Sequence, residues 1–326
     1  MPRKLILLIT MVAALLLVAA CNDDDDCATC PPPTNAPMPT LANIWPHADG
    51  TAWTYDFEYR ENIPVPEPTG KDGEIPTMEE LHAALQDPLP GESVTDEDGL
   101  YRIAFDGIKE TESGATGQKG VYTLYTDLWG ELTNAGGKGN DPLLAAVARA
   151  RPDLREALVR QHGLDQKSLD KAAAPLFLSP YAFSAEEDGL YDYGDLDLNH
   201  AWVYLEGDLS VGSEFSLQLV PSVAEDVWLY GRVWSVQDRK IGGRTVENVL
   251  ECMYVVDMGA AELTDENGEV IGTVYPYSYG VIMFAPEAGP VAAVQRDMWA
   301  PVGNLQDGAP TMIEYVMDGI GVTFPE

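Results

Sequence analysis

Few residues in this chain are grouped as chemistry would demand. Its four histidines, His47, His82, His162 and His200, stand far apart with no HxxxH or HxH pair, so no metal-ligand set is expected from them. No GxSxG elbow, phosphate loop or GxGxxG lies where a strand would meet a helix. Carboxylates are plentiful: Glu186, Glu187 and Asp188, or Asp192, Asp195 and Asp197, offer the oxygen ligands that calcium takes, which makes calcium the one cofactor the sequence admits. With 53 Asp and Glu such groupings arise by chance, and solvated loops are the expected reading. A glycosidase acid pair could be drawn from any of them, so no catalytic residue is nominated. Aromatic side chains are the other resource. Trp53, Trp129, Trp202, Trp228 and Trp234 are the candidates to line a cleft for a sugar or lipid, against the alternative that strand aromatics simply pack half-buried.

The cysteines speak to compartment. Met1-Pro2-Arg3-Lys4 brings two cations, and Leu5 to Ala20 follows as sixteen residues with only Thr10 polar. That is the charged and apolar layout of a secretory signal peptide, too short for a confident membrane span and followed at once by the acids Asp23 to Asp26. Cys27-Ala28-Thr29-Cys30 has the spacing of a redox motif, yet Pro31-Pro32-Pro33 forbids the helix that would lower a thiolate pKa there. A tether disulfide or two unpaired tether thiols is the expected state, and with Cys252 the odd count leaves at least one thiol free or paired between molecules.

Val18-Ala19-Ala20-Cys21 resembles the lipobox of bacterial lipoproteins. The resemblance implies that Cys21 carries a diacylglyceryl group on sulfur and a palmitate-type acyl chain on its new amino terminus, and several chains on one residue suffice for stable anchoring. The acidic run after it is similar to surface-export signals of some Bacteroidetes-type lipoproteins, and equally to a plain acidic spacer. The expected address is therefore the bacterial cell envelope, lipid-anchored in the outer membrane, on either its periplasmic or its surface face. A net charge of -34 argues against nucleic acid and other polyanions as partners.

Stepping along the chain, residues 1–20 are expected to be signal peptide and residues 21–42 a lipidated acidic tether that Pro31, Pro32, Pro33, Pro37 and Pro39 keep extended. Residues 43–326 are expected to be one mainly β domain, an antiparallel meander forming a curled sheet or barrel. Trp53, Tyr55, Phe57 and Tyr59 alternate with polar residues at the period of a half-buried strand. Further strands are expected at 100–108, 121–129, 201–205, 214–220, 227–238, 245–258, 270–285 and 290–297, with one or two helical turns near 78–86. Asn267-Gly268 predicts a hairpin. A helical insertion is expected at about 140–175: Pro142 opens one helix, Pro152 restarts a second that stops at Gly163, and Asp165 caps a third. Arg149, Arg151, Arg155, Arg160, Lys167 and Lys171 give it a basic face, expected to pair with acidic strands nearby.

Ile44-Trp45-Pro46 with Gly50, Trp53 and Tyr55 looks like the "FPL..G..W.Y" opening of many uncharacterised bacterial secreted lipoproteins. Phe284-Ala285-Pro286-Glu287-Ala288-Gly289-Pro290-Val291 resembles their "APGVG.V" strand, with Glu287-Ala288 where the group has Gly-Val, and residues 244–252 are similar to the strand before it. The resemblance implies a β architecture in the envelope and no activity. Two functions are therefore carried forward: a non-catalytic domain that binds a ligand or partner, and a secreted hydrolase acting on glycans or peptides.

Overall fold

The computed structural model describes residues 36–64 except 47 and 49, 75–87, 101–111, 121–126, 147–162 except 149, 182–192, 202–264, 267–298 and 311–323. Cys21, Cys27, Cys30, Trp129, His47, His200, Asp195, Asp197 and the expected starts of the first and third insertion helices lie outside these residues. All elements below belong to the unit Pro37–Glu326.

The fold is mainly β and antiparallel. Strands β1 (Ala52–Pro64), β2 (Tyr101–Thr111), β3 (Val121–Thr126), β4 (Ala182–Ala185), β5 (Gly189–Asp192) and β6 (Trp202–Glu206) form one meander. A second runs through β7 (Glu214–Gln218), β8 (Trp228–Ile241), β9 (Arg244–Asp257), β12 (Tyr277–Ala285), β13 (Gly289–Asp297) and β14 (Thr311–Thr323). The two join where β1 pairs with β14, so the sheet reads β6-β5-β4-β3-β2-β1-β14-β13-β12-β9-β8-β7. A separate hairpin, β10 (Ala261–Thr264) with β11 (Val270–Val274), lies on either side of Asn267-Gly268, as that pair predicts.

Connectivity bends this sheet. β6 and β7 stand at its two ends yet follow one another in the chain, joined by residues 207–213. That linker spans less than about 30 Å, whereas twelve strands laid flat measure about 50 Å across. The sheet must therefore curl until its ends approach. No ladder joins β6 to β7 among the described residues, so the ring is not closed.

The curl gives the sheet a core. Trp45, Trp53, Tyr55, Leu158, Tyr254 and Phe284 are fully buried in one cluster. Alternation places Leu250, Cys252, Tyr254 and Val256 of β9 in that cluster, and Met253 and Val255 of the same strand in another on the opposite face. Residues 249–256 are consequently buried on both faces. The second cluster forms because helix α1 (Met78–Leu85) lies over it and inserts Leu81 among Met253, Val255, Tyr277 and Tyr279. Thr77 and Glu80 close a reciprocal capping box that starts the helix. Helix α2 (Pro152–His162) begins at the predicted proline and ends before Gly163, between β3 and β4. Its Leu158 enters the main core, while Arg151 pairs with Asp153 and with Asp226 of the β7–β8 connection at 2.8 and 2.9 Å and donates to the Met258 carbonyl.

Three local features depart from a simple strand-and-turn pattern. Ile44 and Trp45 reach the core from a hydrogen-bonded turn, Ile44 N–H to Thr40 O, and the strand starts only at Ala52. The apolar run 270–285 divides at Tyr275-Pro276 into β11 and β12, because proline has no N–H for a ladder. The hairpin joining β12 to β13 accommodates the Gly-Val replacement by holding Glu287 at φ 63°, its N–H donated to Asn43 O at 2.6 Å.

Candidate ligand-binding groove

Period-2 geometry makes a stripe of β8. Leu229, Gly231 and Val233 face the core, so Trp228, Tyr230, Arg232 and Trp234 stand together on the outer face. Gly231 must be glycine here, since the Phe215 ring lies over it and an added Cβ would sit 2.0 Å from Phe215 Cζ. Trp228 and Tyr230 stack with centroids 6.2 Å apart and planes at 17°. The Arg232 guanidinium lies 5.0 Å above the Trp234 ring, and Trp234 stacks on His82 of α1 at 3.9 Å. A bulge between Val233 and Ser235 adds a residue, so that Ser235 also faces outward, opposite Glu251.

Between the stripe and α1 runs an open groove of about 760 Å³. Glu79 of α1, Glu206 at the end of β6, Glu214 of β7 and Asp257 of β9 bring four carboxylates to it, and Tyr230 and Arg232 line its floor. Arg232 donates to Glu79 at 2.5 Å and stands 3.6 Å from Glu214. Backbone hydrogen bonding at Glu79 and the Arg232 guanidinium hold the Glu79 carboxyl below its usual range. Burial pushes Asp257 upward; Gly259 N–H opposes this, the Asp226 charge adds to it and Arg151 opposes it. Burial also raises the Tyr230 hydroxyl, helped by the Asp257 charge. Trp228 and Trp234 flank the groove without lining it, and the Tyr230 ring with the acidic walls suits a ligand with a flat or apolar portion and positive charge.

The raised Asp257 pKa makes its ionisation a cost to the fold. Between the ordinary carboxylate range and the raised value the folded state binds more protons than the unfolded one, so stability falls as pH rises through that window. Asp257→Asn keeps an acceptor for the Gly259 N–H, which donates to Asp257 at 2.8 Å. The melting temperature of the variant is expected to exceed that of the parent at pH 7 and to match it below about pH 3, where both side chains are neutral. A lower value at pH 7 would mean that Arg151 attraction outweighs burial.

A second polar cluster fastens the groove wall. Glu251, outward on β9 and buried, lies 2.6 Å from His82 Nε2 and accepts from Ser235 Oγ at 3.1 Å and from Arg239. With three partners from this chain on one carboxylate, the cluster clasps α1 to the sheet. Farther along α1, Arg296 donates to the carbonyls of Ala84 and Asp87 and pairs with buried Glu314 at 2.8 Å.

Of the aromatics expected to line a cleft, the structure brings Trp228 and Trp234 together on one face. Trp53 is 1 % exposed, its indole N–H donated to Ala288 O at 2.6 Å, and serves the core. Trp202 opens β6, four residues before the Glu206 that lines the groove, and Trp129 lies outside the described residues. Sequence reasoning passes over Tyr230, Arg232 and the four carboxylates. The signal was present for the first two, in the Trp-x-Tyr-x-Arg-x-Trp spacing of residues 228–234. Glu186, Glu187 and Asp188 are exposed on the β4–β5 turn, and among the described residues no group of three or more Asp, Glu, His or Cys is placed to hold a metal ion. Cys252 is a buried free thiol, pushed by burial up to about 12.

No family model and no curated protein matches the sequence. Among solved structures, the chain has a faint likeness to a protein from Parabacteroides distasonis described as a "putative lipoprotein", at 10 % identity and TM-score 0.22 over 86 % of this chain and 98 % of that one.

Proposed function

We propose that this chain is a lipid-anchored protein of the bacterial cell envelope whose β domain binds a ligand, without transforming it, in the groove between α1 and β8. The anchor rests on the lipobox-like residues 18–21 and the apolar run before them. The observation that carries the binding reading is the outer-face stripe of Tyr230 and Arg232 under a wall of carboxylates in a groove of about 760 Å³, within the size range of ligand pockets. Glu79 pairs with Arg232 and its carboxyl is held below its usual range, which suits carrying charge better than delivering a proton. The outer membrane is the proposed location.

Metabolic labelling with a clickable fatty acid tests the anchor. Wild-type protein should carry the label and sediment with membranes, and Cys21→Ala should lose both; an unlabelled mature protein contradicts the anchor. For the groove, the full chain in detergent is applied to arrays of glycans and peptides. Binding that Tyr230→Ala abolishes, without turnover of the bound compound, is expected. Turnover that is lost on replacing two facing carboxylates would favour the hydrolase instead.

A further inference from the structure

The groove lies beside the gap between β6 and β7, which no ladder bridges among the described residues. Among the described residues β7 pairs with β8 alone, from Glu214 opposite Arg232 to Gln218 opposite Trp228. The hydrogen bond from Leu219 N–H to Val227 O, at 2.9 Å, fixes which residues exchange bonds with β8. Counting back in twos, Leu217 and Phe215 turn their N–H and C=O groups to β8, so Glu214, Ser216 and Gln218 turn theirs to the free edge. Glu214, Phe215 and Ser216 line the groove in succession, and Glu206 of the facing strand β6 lines it too. The groove therefore runs along backbone that is ready to pair.

Resting on the groove-binding reading above, we infer that the occupant is an extended, cation-bearing peptide from another protein, added as a strand to the free edge of β7. Backbone pairing supplies affinity in such additions, and alternate side chains supply selectivity. Here alternate residues of the added strand point to the outer face. There they meet four carboxylates, of which only Glu79 and Glu214 have the Arg232 charge beside them. Lysine or arginine at those positions would be neutralised, with aliphatic stems lying on Tyr230. The chain's own tether is the wrong occupant: Asp23 to Asp26 would be repelled, and Pro31 to Pro33 have no N–H to donate.

The test uses the full chain in detergent and the peptide acetyl-(Lys-Val)4-amide. Binding should be measurable at low salt, weaken as salt rises, and be absent for acetyl-(Glu-Val)4-amide. Two further peptides carry N-methyl groups on every lysine or on every valine. Only one edge of an added strand faces β7, so one methylated peptide should bind like the parent and the other roughly tenfold more weakly. Ser216→Pro removes a donor from the free edge while sparing the β8 ladder, and should weaken the peptide by a similar factor with the melting temperature nearly unchanged.

Equal binding of both methylated peptides, or no binding of the lysine peptide, overturns strand addition. If N-acetylglucosamine oligomers bind instead and Tyr230→Ala abolishes that binding, the groove stands and the peptide falls. If the lysine peptide binds Tyr230→Ala and Ser216→Pro as well as it binds wild type, the site lies elsewhere and both readings fall.

Discussion

Trp53→Ala is expected to lower unfolding free energy by about 4–5 kcal/mol, measured from denaturant midpoints. Trp53 is 1 % exposed, packs 6.1 Å from Trp45 and donates its indole N–H to Ala288 O at 2.6 Å. Truncation opens a large cavity where β1 meets the β12–β13 hairpin, strands far apart in sequence. It also removes the donor from the partly buried Ala288 carbonyl. Trp53→Phe separates the two contributions: it retains most of the ring volume and loses the donor, and should cost about 1–2 kcal/mol. A Trp53→Ala loss below about 2 kcal/mol would show that this end of the core collapses readily around the gap.

The next largest effect is expected at Arg296. Its side chain is 2 % exposed, pairs with Glu314 at 6 % side-chain exposure, and holds the carbonyls of Ala84 and Asp87 at the end of α1. Arg296→Met leaves a buried carboxylate without its main partner, a change that costs about 3–5 kcal/mol. Arg60, 3.9 Å from the other Glu314 oxygen, offsets part of the loss and places the expected value near 3 kcal/mol. The double variant Arg296→Met with Glu314→Leu should recover most of it, because no charge is then left buried. Ligand binding should weaken in the single variant more than stability alone requires, since α1 is the groove wall. If the double variant is as unstable as the single one, the carbonyl contacts to α1 and not the ion pair carry the energy.

What the sequence made legible follows its periodicities. The alternation of Trp53 and Tyr55 marked β1, Pro152 and Gly163 bracketed α2, and Asn267-Gly268 marked the small hairpin, each through a local rule that tertiary structure did not override. β14 shows no clean strand pattern, because Glu314, Asp318, Gly319 and Gly321 dilute its apolar face; its partners are β1 and β13, and pairing with the first strand is invisible locally. Glu251 reads as an outward polar residue of β9 and is buried only because α1 covers that face. The groove was the least legible feature: its carboxylates come from α1, β6, β7 and β9, and only the curl of the sheet brings the end of β6 beside β7.

The central claim is that ligand occupies the outer face of β8. Hydroxyl-radical footprinting of the full chain in detergent, with and without the tightest-binding array compound, tests it most directly. Tyr230 and Tyr275 are both exposed, at 36 % and 42 %, so both should oxidise in the free protein, while buried Trp45 and Trp53 should not. On binding, protection is predicted for Tyr230 and Trp228, with Tyr275 on the β11–β12 connection oxidised as before. Protection of Tyr275 with Tyr230 unchanged would place the ligand away from the groove and contradict the account.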